Sequence, residues 1–99
     1  MENDTQKEVI CAKVTQEDID KAMAEIGTPN FSYVCGCVVY QVAERMGLKP
    51  MCIFPRQVNT SIGEQYILDN NGYKITSMHH LEWQNSLNIE FTFTKKSYY

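Results

Sequence analysis

The sequence predicts an α+β domain: a mostly antiparallel sheet with two or three helices packed on one face, in the order β-α-α-β-β-β-α-β. Three observations carry this. Apolar residues recur at helical spacing in "TQEDIDKAMAEIG" and again in "CVVYQVAERMG". The stretch "LNIEFTFTK", residues 87 to 95, alternates instead with a period of two. Leu87, Ile89, Phe91 and Phe93 share one face, while Asn88, Glu90, Thr92 and Thr94 share the other. A last strand with one wet face belongs to a sheet covered on one side only. A chain of 99 residues makes a single domain, expected over 8–96 behind a flexible tail at 1–7.

The elements follow in order. In "EVICAKVT", Ile10, Ala12 and Val14 share a face, which reads as a strand. Thr15 is a natural N-cap, with Asp18 three residues on in the manner of a capping box. Ile19, Ala22, Met23 and Ile26 form the stripe of the first helix, and Gly27 stops it. A second helix is expected from Tyr33 or Cys35 to Met46. Its buried face is Val38, Val39, Val42 and Met46, with Gln41, Glu44 and Arg45 facing water and Gly47 ending it. "MCIF" reads as a buried strand closed by Pro55, and "RQVNTSIG" as either more strand or a loop. "QYILD" and "YKIT" flank "NNG", a hairpin signal. "TSMHHLEWQNS" reads as a short helix capped by Thr76 or Ser77.

Composition narrows the function classes. The hydrophobic fraction of 43% and charged fraction of 21% are those of a folded globular chain. A net charge of -3 and the lack of a Lys/Arg cluster disfavour direct DNA binding. No apolar run reaches transmembrane length, and "MENDTQKE" is unlike a signal peptide. The expectation is a cytoplasmic protein without membrane association, whose four cysteines are thiols.

The chemistry-bearing residues are few. Cys35, Cys37, His79 and His80 raise the question of zinc. On one helix, Cys35 and Cys37 would point about 200° apart and could not chelate together. They converge only if the helix begins at Cys37. Small packing residues at a helix entry are the plainer reading, and no metal or other cofactor is expected. A Cys37 thiol with a histidine base would make a nucleophilic enzyme, but no established catalytic motif accompanies them. The chain therefore reads as non-catalytic. For binding, Tyr40, Trp83, His79 and His80 offer rings that anchor interfaces or stack on bases, although for any single aromatic a place in the core is the plainer reading. Arg56, followed by Gln57, Asn59, Thr60 and Ser61, could meet a phosphate or carboxylate, with a solvated loop the plainer reading.

Three pieces, "VTQEDIDKA" (14–22), "CVVYQVAERMG" (37–47) and "IEFTFT" (89–94), together span most of the chain. Their order resembles a group of short, uncharacterised bacteriophage and prophage proteins. These have a leading strand, a "T-x-E-D-I" helix, a Cys-led amphipathic helix often written "C-P-[IV]-A-x-A", a hairpin, a late helix and a Phe-rich last strand. Here Val38 stands for the Pro, Tyr40 for the small Ala, and "TSMHH" for an "LPEE"-like start. The resemblance implies a mobile-element origin and the element order above. It also implies that Cys37 packs at a helix entry. It transfers no catalytic residues.

The expected function is that of a small phage-type accessory protein that acts by binding a host protein, most simply an immune factor it inhibits. Alternatives are a homo-oligomer sequestering a small nucleotide signal, and a metal-dependent or thiol enzyme. A homodimer is expected, through the late helix around Trp83 or an open sheet edge. If Cys35 and Cys37 pack, replacing both with Ala lowers the melting temperature modestly and leaves metal content unchanged. Native mass spectrometry checks this, and stoichiometric zinc lost in the double variant would refute it.

Overall fold

The computed structural model describes residues 8–29, 31–32 and 37–96. Strand β1 (Val9–Lys13) leads into helix α1 (Gln16–Ile26) through the expected cap. The Thr15 hydroxyl oxygen accepts from the Asp18 N–H, and an Asp18 carboxylate oxygen accepts from the Thr15 N–H. Ile19 and Ala22 are buried as expected and Ile26 partly so, but Met23 is exposed. The apolar stripe is thus narrower than its spacing suggested.

Helix α2 (Val38–Arg45) begins with Cys37 as its N-cap. Tyr33 and Cys35, the other starts considered, lie outside the described residues. Val38, Val39 and Val42 are buried, but Met46 is exposed and Gln41 is buried. The reason is that α2 is covered on more than one side, by α1, by the sheet and by helix α3 (Asn70–Thr76). Gly47 ends α2 at φ 84. Gly47 N–H donates to the Glu44 carbonyl and Leu48 N–H to that of Ala43. This is the Schellman arrangement, which needs the left-handed residue that glycine supplies.

Among the described residues, the sheet has five strands in the order β1-β5-β4-β3-β2, with every pair antiparallel. Strands β2 (Pro50–Phe54), β3 (Gln57–Thr60) and β4 (Gln65–Leu68) form a meander. Strand β5 (Glu90–Lys95) then lies between β4 and β1. The "MCIF" strand is therefore an edge, not a buried strand. Ile53 is buried while Met51 and Phe54 are exposed, and the register shifts between Pro50 and Cys52. "RQVNTSIG" supplies β3 and the turn to β4.

The expected hairpin around "NNG" is absent, and this stretch is α3. Asp69 caps it, one carboxylate oxygen accepting from the Gly72 N–H at 2.9 Å. The other oxygen accepts from the Thr92 N–H and hydroxyl, which clamps the helix start to β5. Gly72 is not a turn glycine but a contact glycine. A Cβ there would stand 3.0 Å from the Leu68 Cβ and 3.1 Å from a Phe91 ring carbon. The late helix is a 3-10 segment (His80–Ser86), capped by His79 rather than by Thr76 or Ser77.

The core lies between the helices and one face of the sheet. Ala12, Ile53, Val58, Tyr66, Leu68, Phe91 and Phe93 point into it from the strands. The alternation expected of the last strand holds for Phe91 and Phe93, whose rings meet edge-on with centroids 5.1 Å apart. Leu87 and Ile89 precede the strand and are half-buried. The result is α+β with helices on one face, as the sequence predicts.

One ion pair joins three of these elements. Arg45 Nε and Nη2 donate to the two Asp18 carboxylate oxygens, each at 3.0 Å, and Nη2 also donates to the Lys13 carbonyl at 2.9 Å. The Asp18 side chain is only 2% accessible. Burial pushes its pKa up, but the hydrogen bonds from Arg45 and Thr15, with the Arg45 charge, outweigh burial and hold it below its ordinary value. Arg45, expected to face water, keeps only one side there.

This packing makes three variants informative. Gly72→Ala should destabilise by about 1–3 kcal/mol through overpacking against Leu68 and Phe91, although alanine favours helix by about 1 kcal/mol. Urea melts measure the difference, and a stabilised variant would refute the close approach. Arg45→Met should cost about 3 kcal/mol, because Asp18 is left buried and charged. The depressed Asp18 pKa makes its contribution complete above the ordinary carboxylate range and lost as pH falls below about 4. Asp18→Asn should therefore flatten the acid side of the stability curve, read from urea midpoints between about pH 6 and pH 2.

Candidate functional site

Alternation along each strand sends the remaining side chains to the face the helices do not cover. The pairing registers place Val9 beside Thr94, Thr94 beside Ile67, Ile67 beside Gln57, and Gln57 beside Phe54. These residues form one row running straight across all five strands. Its apolar members are exposed: Val9 by 52%, Ile67 by 38% and Phe54 by 44%. A parallel row on the same face carries Cys52, Asn59 and Gln65. Gln57 Nε2 donates to the Asn59 Oδ1 at 2.8 Å and ties the two rows together. The row is uncharged throughout, so a partner covering it need not desolvate an ion.

The residues singled out from the sequence lie elsewhere. Trp83, a candidate both for a partner contact and for the core, is 1% exposed and belongs to the core, with the Phe31 ring edge-on at 6.4 Å. His79 and His80 do come together with it. Their rings lie 4.1 Å apart, and His80 stands 6.2 Å from Trp83. The local role of His79 is structural, since its Nδ1 accepts from the Leu81 N–H while its own N–H donates to Glu82. Tyr40 is half-buried on α2 against the core. Arg56 sits in the β2–β3 turn, exposed, with its guanidinium 4.0 Å from the centroid of the Tyr73 ring. The Thr76 hydroxyl donates to the Pro55 carbonyl at 2.8 Å, which holds the end of α3 against that turn.

Of the cysteines raised as ligands, Cys37 is buried and Cys35 lies outside the described residues. Among the described residues, no group of three or more His, Cys, Asp or Glu side chains is placed to hold a metal ion. Among these residues, too, no helix is long and apolar enough to cross a membrane.

The charged groups with shifted pKa values are held in structural pairs. Besides Asp18 and Arg45, these are Glu64, Lys95 and Tyr66. Lys95 Nζ lies 2.7 Å from a Glu64 carboxylate oxygen. That hydrogen bond lowers the Glu64 pKa and raises that of Lys95. Burial, then the nearby Glu64 charge, raises Tyr66, whose hydroxyl donates to Glu64. This trio braces β4 against β5.

The exposed row is the feature that sequence reasoning missed. Phe54 was hidden by the apolar run "MCIF", which reads as buried throughout. Ile67 was assigned to a hairpin that does not form. The available signal was the alternation in "QVNT", where Gln57 and Asn59 flank the buried Val58. Comparison of the chain with protein-family models, with curated proteins and with solved structures finds no match.

Proposed function

We propose that this chain is a non-catalytic, phage-type accessory protein that binds and inhibits a host protein in the cytoplasm, acting as a homodimer. The observation that carries the binding reading is the uncharged row Val9–Thr94–Ile67–Gln57–Phe54 on the uncovered face of the sheet. Apolar surface removed from water contributes about 25 cal/mol per Å², and this row offers Val9, Ile67 and Phe54 to a partner on a hydrogen-bonded backbone.

Sequestration of a small nucleotide is the second reading, and Arg56 favours it. An exposed guanidinium stacked on a tyrosine ring can meet a phosphate while the neighbouring ring area receives a base. Calorimetry with a panel of cyclic nucleotides, on wild type and Arg56→Ala, separates this reading from the first.

The protein-binding reading is tested with the double variant Phe54→Lys, Ile67→Lys. Both side chains are exposed, so melting temperature should change little. Capture of the target from bacterial host lysate, quantified by mass spectrometry, should fall by at least about tenfold. Leu81→Lys, at an exposed position on the 3-10 segment, is the control and should capture as wild type does. Undiminished capture by the double variant, or equal loss in the control, would sink the proposal.

A further inference from the structure

Strands β1 and β2 are the two edges of the sheet, and they differ. Strand β2 carries Pro50 and a register shift, both devices that discourage a further strand. Strand β1 has a regular register along its whole length and contains no proline.

The outward groups of β1 follow from its bonds to β5. The Glu8 carbonyl accepts from the Lys95 N–H at 2.8 Å, and the Val14 N–H donates to the Ile89 carbonyl at 3.0 Å. Antiparallel pairing alternates, so Ile10 and Ala12 also bond inward. Val9, Cys11 and Lys13 then present N–H and C=O away from the sheet. The Lys13 carbonyl already accepts from Arg45, which confirms its direction and leaves it a second lone pair. A shallow, open depression lined by Cys11, Ala12, Lys13 and Glu90 lies beside this edge, over the pairing of β1 with β5.

We propose that a second copy of this chain pairs antiparallel with β1 about a two-fold axis midway between the two copies of Cys11, making one continuous sheet. The inference rests on the homodimer reading above and adds its surface and register. An axis perpendicular to the sheet keeps each face on its own side. Directly opposed residues must share a face, so the axis runs midway between the two copies of one residue, and that residue opposes itself. Cys11 is the middle one of the three that present outward groups. In this register Cys11 opposes Cys11, and Val9 of each copy opposes Lys13 of the other. The exposed Val9 of the second copy then lies against the aliphatic stem of Lys13. Donors, acceptors and an exposed apolar side chain are all on one strand, so another β1 supplies the complement to each. The pairing also brings the two uncovered faces together as one surface.

Opposed charges set up a register-specific test by analytical ultracentrifugation. Wild type should dimerise. Val9→Lys, facing Lys13 twice across the axis, should weaken the dimer about tenfold, and Val9→Glu should tighten it several-fold. Cys11→Pro should give a monomer with unchanged circular dichroism, because that N–H faces outward. Mild oxidation of wild type should yield a peptide linking Cys11 to Cys11, seen by mass spectrometry. Should Cys11→Pro misfold, the Val9 pair decides, since Val9 is exposed. A wild type that stays monomeric as concentration rises overturns both this proposal and the homodimer reading. A dimer indifferent to charge at position 9 overturns the β1 edge and leaves the homodimer reading standing.

Discussion

The fork between Arg45 and Asp18 holds the first strand and the first helix to the second helix. A single guanidinium reaches both oxygens of a carboxylate and the last carbonyl of β1. The same carboxylate closes the cap of α1 through the Thr15 N–H and hydroxyl. Strand end, helix start and helix end are thereby fixed at one point. A carboxylate buried to this degree survives only when its lone pairs are fully engaged. The orientation of α1 and α2 over the sheet follows from that requirement as much as from the apolar stripes, which are short.

The sequence exposes the half of this arrangement that is local. Thr15 and Asp18 stand three residues apart, and a capping box can be read from spacing alone. Arg45 lies 27 residues beyond Asp18, where spacing says nothing, and its position on a polar helix face suggested water. The same division runs through the fold. The last strand, the stop at Gly47 and the first helix were legible because periodicity and glycine act within a few residues. The helix at Asn70–Thr76 was not. "NNG" between two β-rich runs is a strong turn signal, and it lost to Asp69, whose two oxygens engage a helix start and a neighbouring strand together. Thr92, the second partner, is again distant in sequence.

The candidate site was less legible than the fold. A row across a sheet is made of one residue from each strand, so its existence depends on every register being known. Trp83 shows the converse. Its size and its neighbours His79 and His80 suggested a surface anchor, yet Phe31, from the connection after α1, takes the position a partner would have taken. Arg56 is legible as a basic group in a polar segment, but its stacking partner Tyr73 lies on α3, in a stretch whose sequence reads as a strand.

The unlike edges of the sheet bear on how this chain behaves at high concentration. Unlimited head-to-tail growth into a fibre needs two receptive edges on each molecule, one to extend and one to be extended. Here Pro50 withholds an N–H from β2, and the register shift beside it breaks the even rise of the ladder. A molecule with one receptive edge is a chain terminator for its own polymerisation, so any edge pairing closes after a single step.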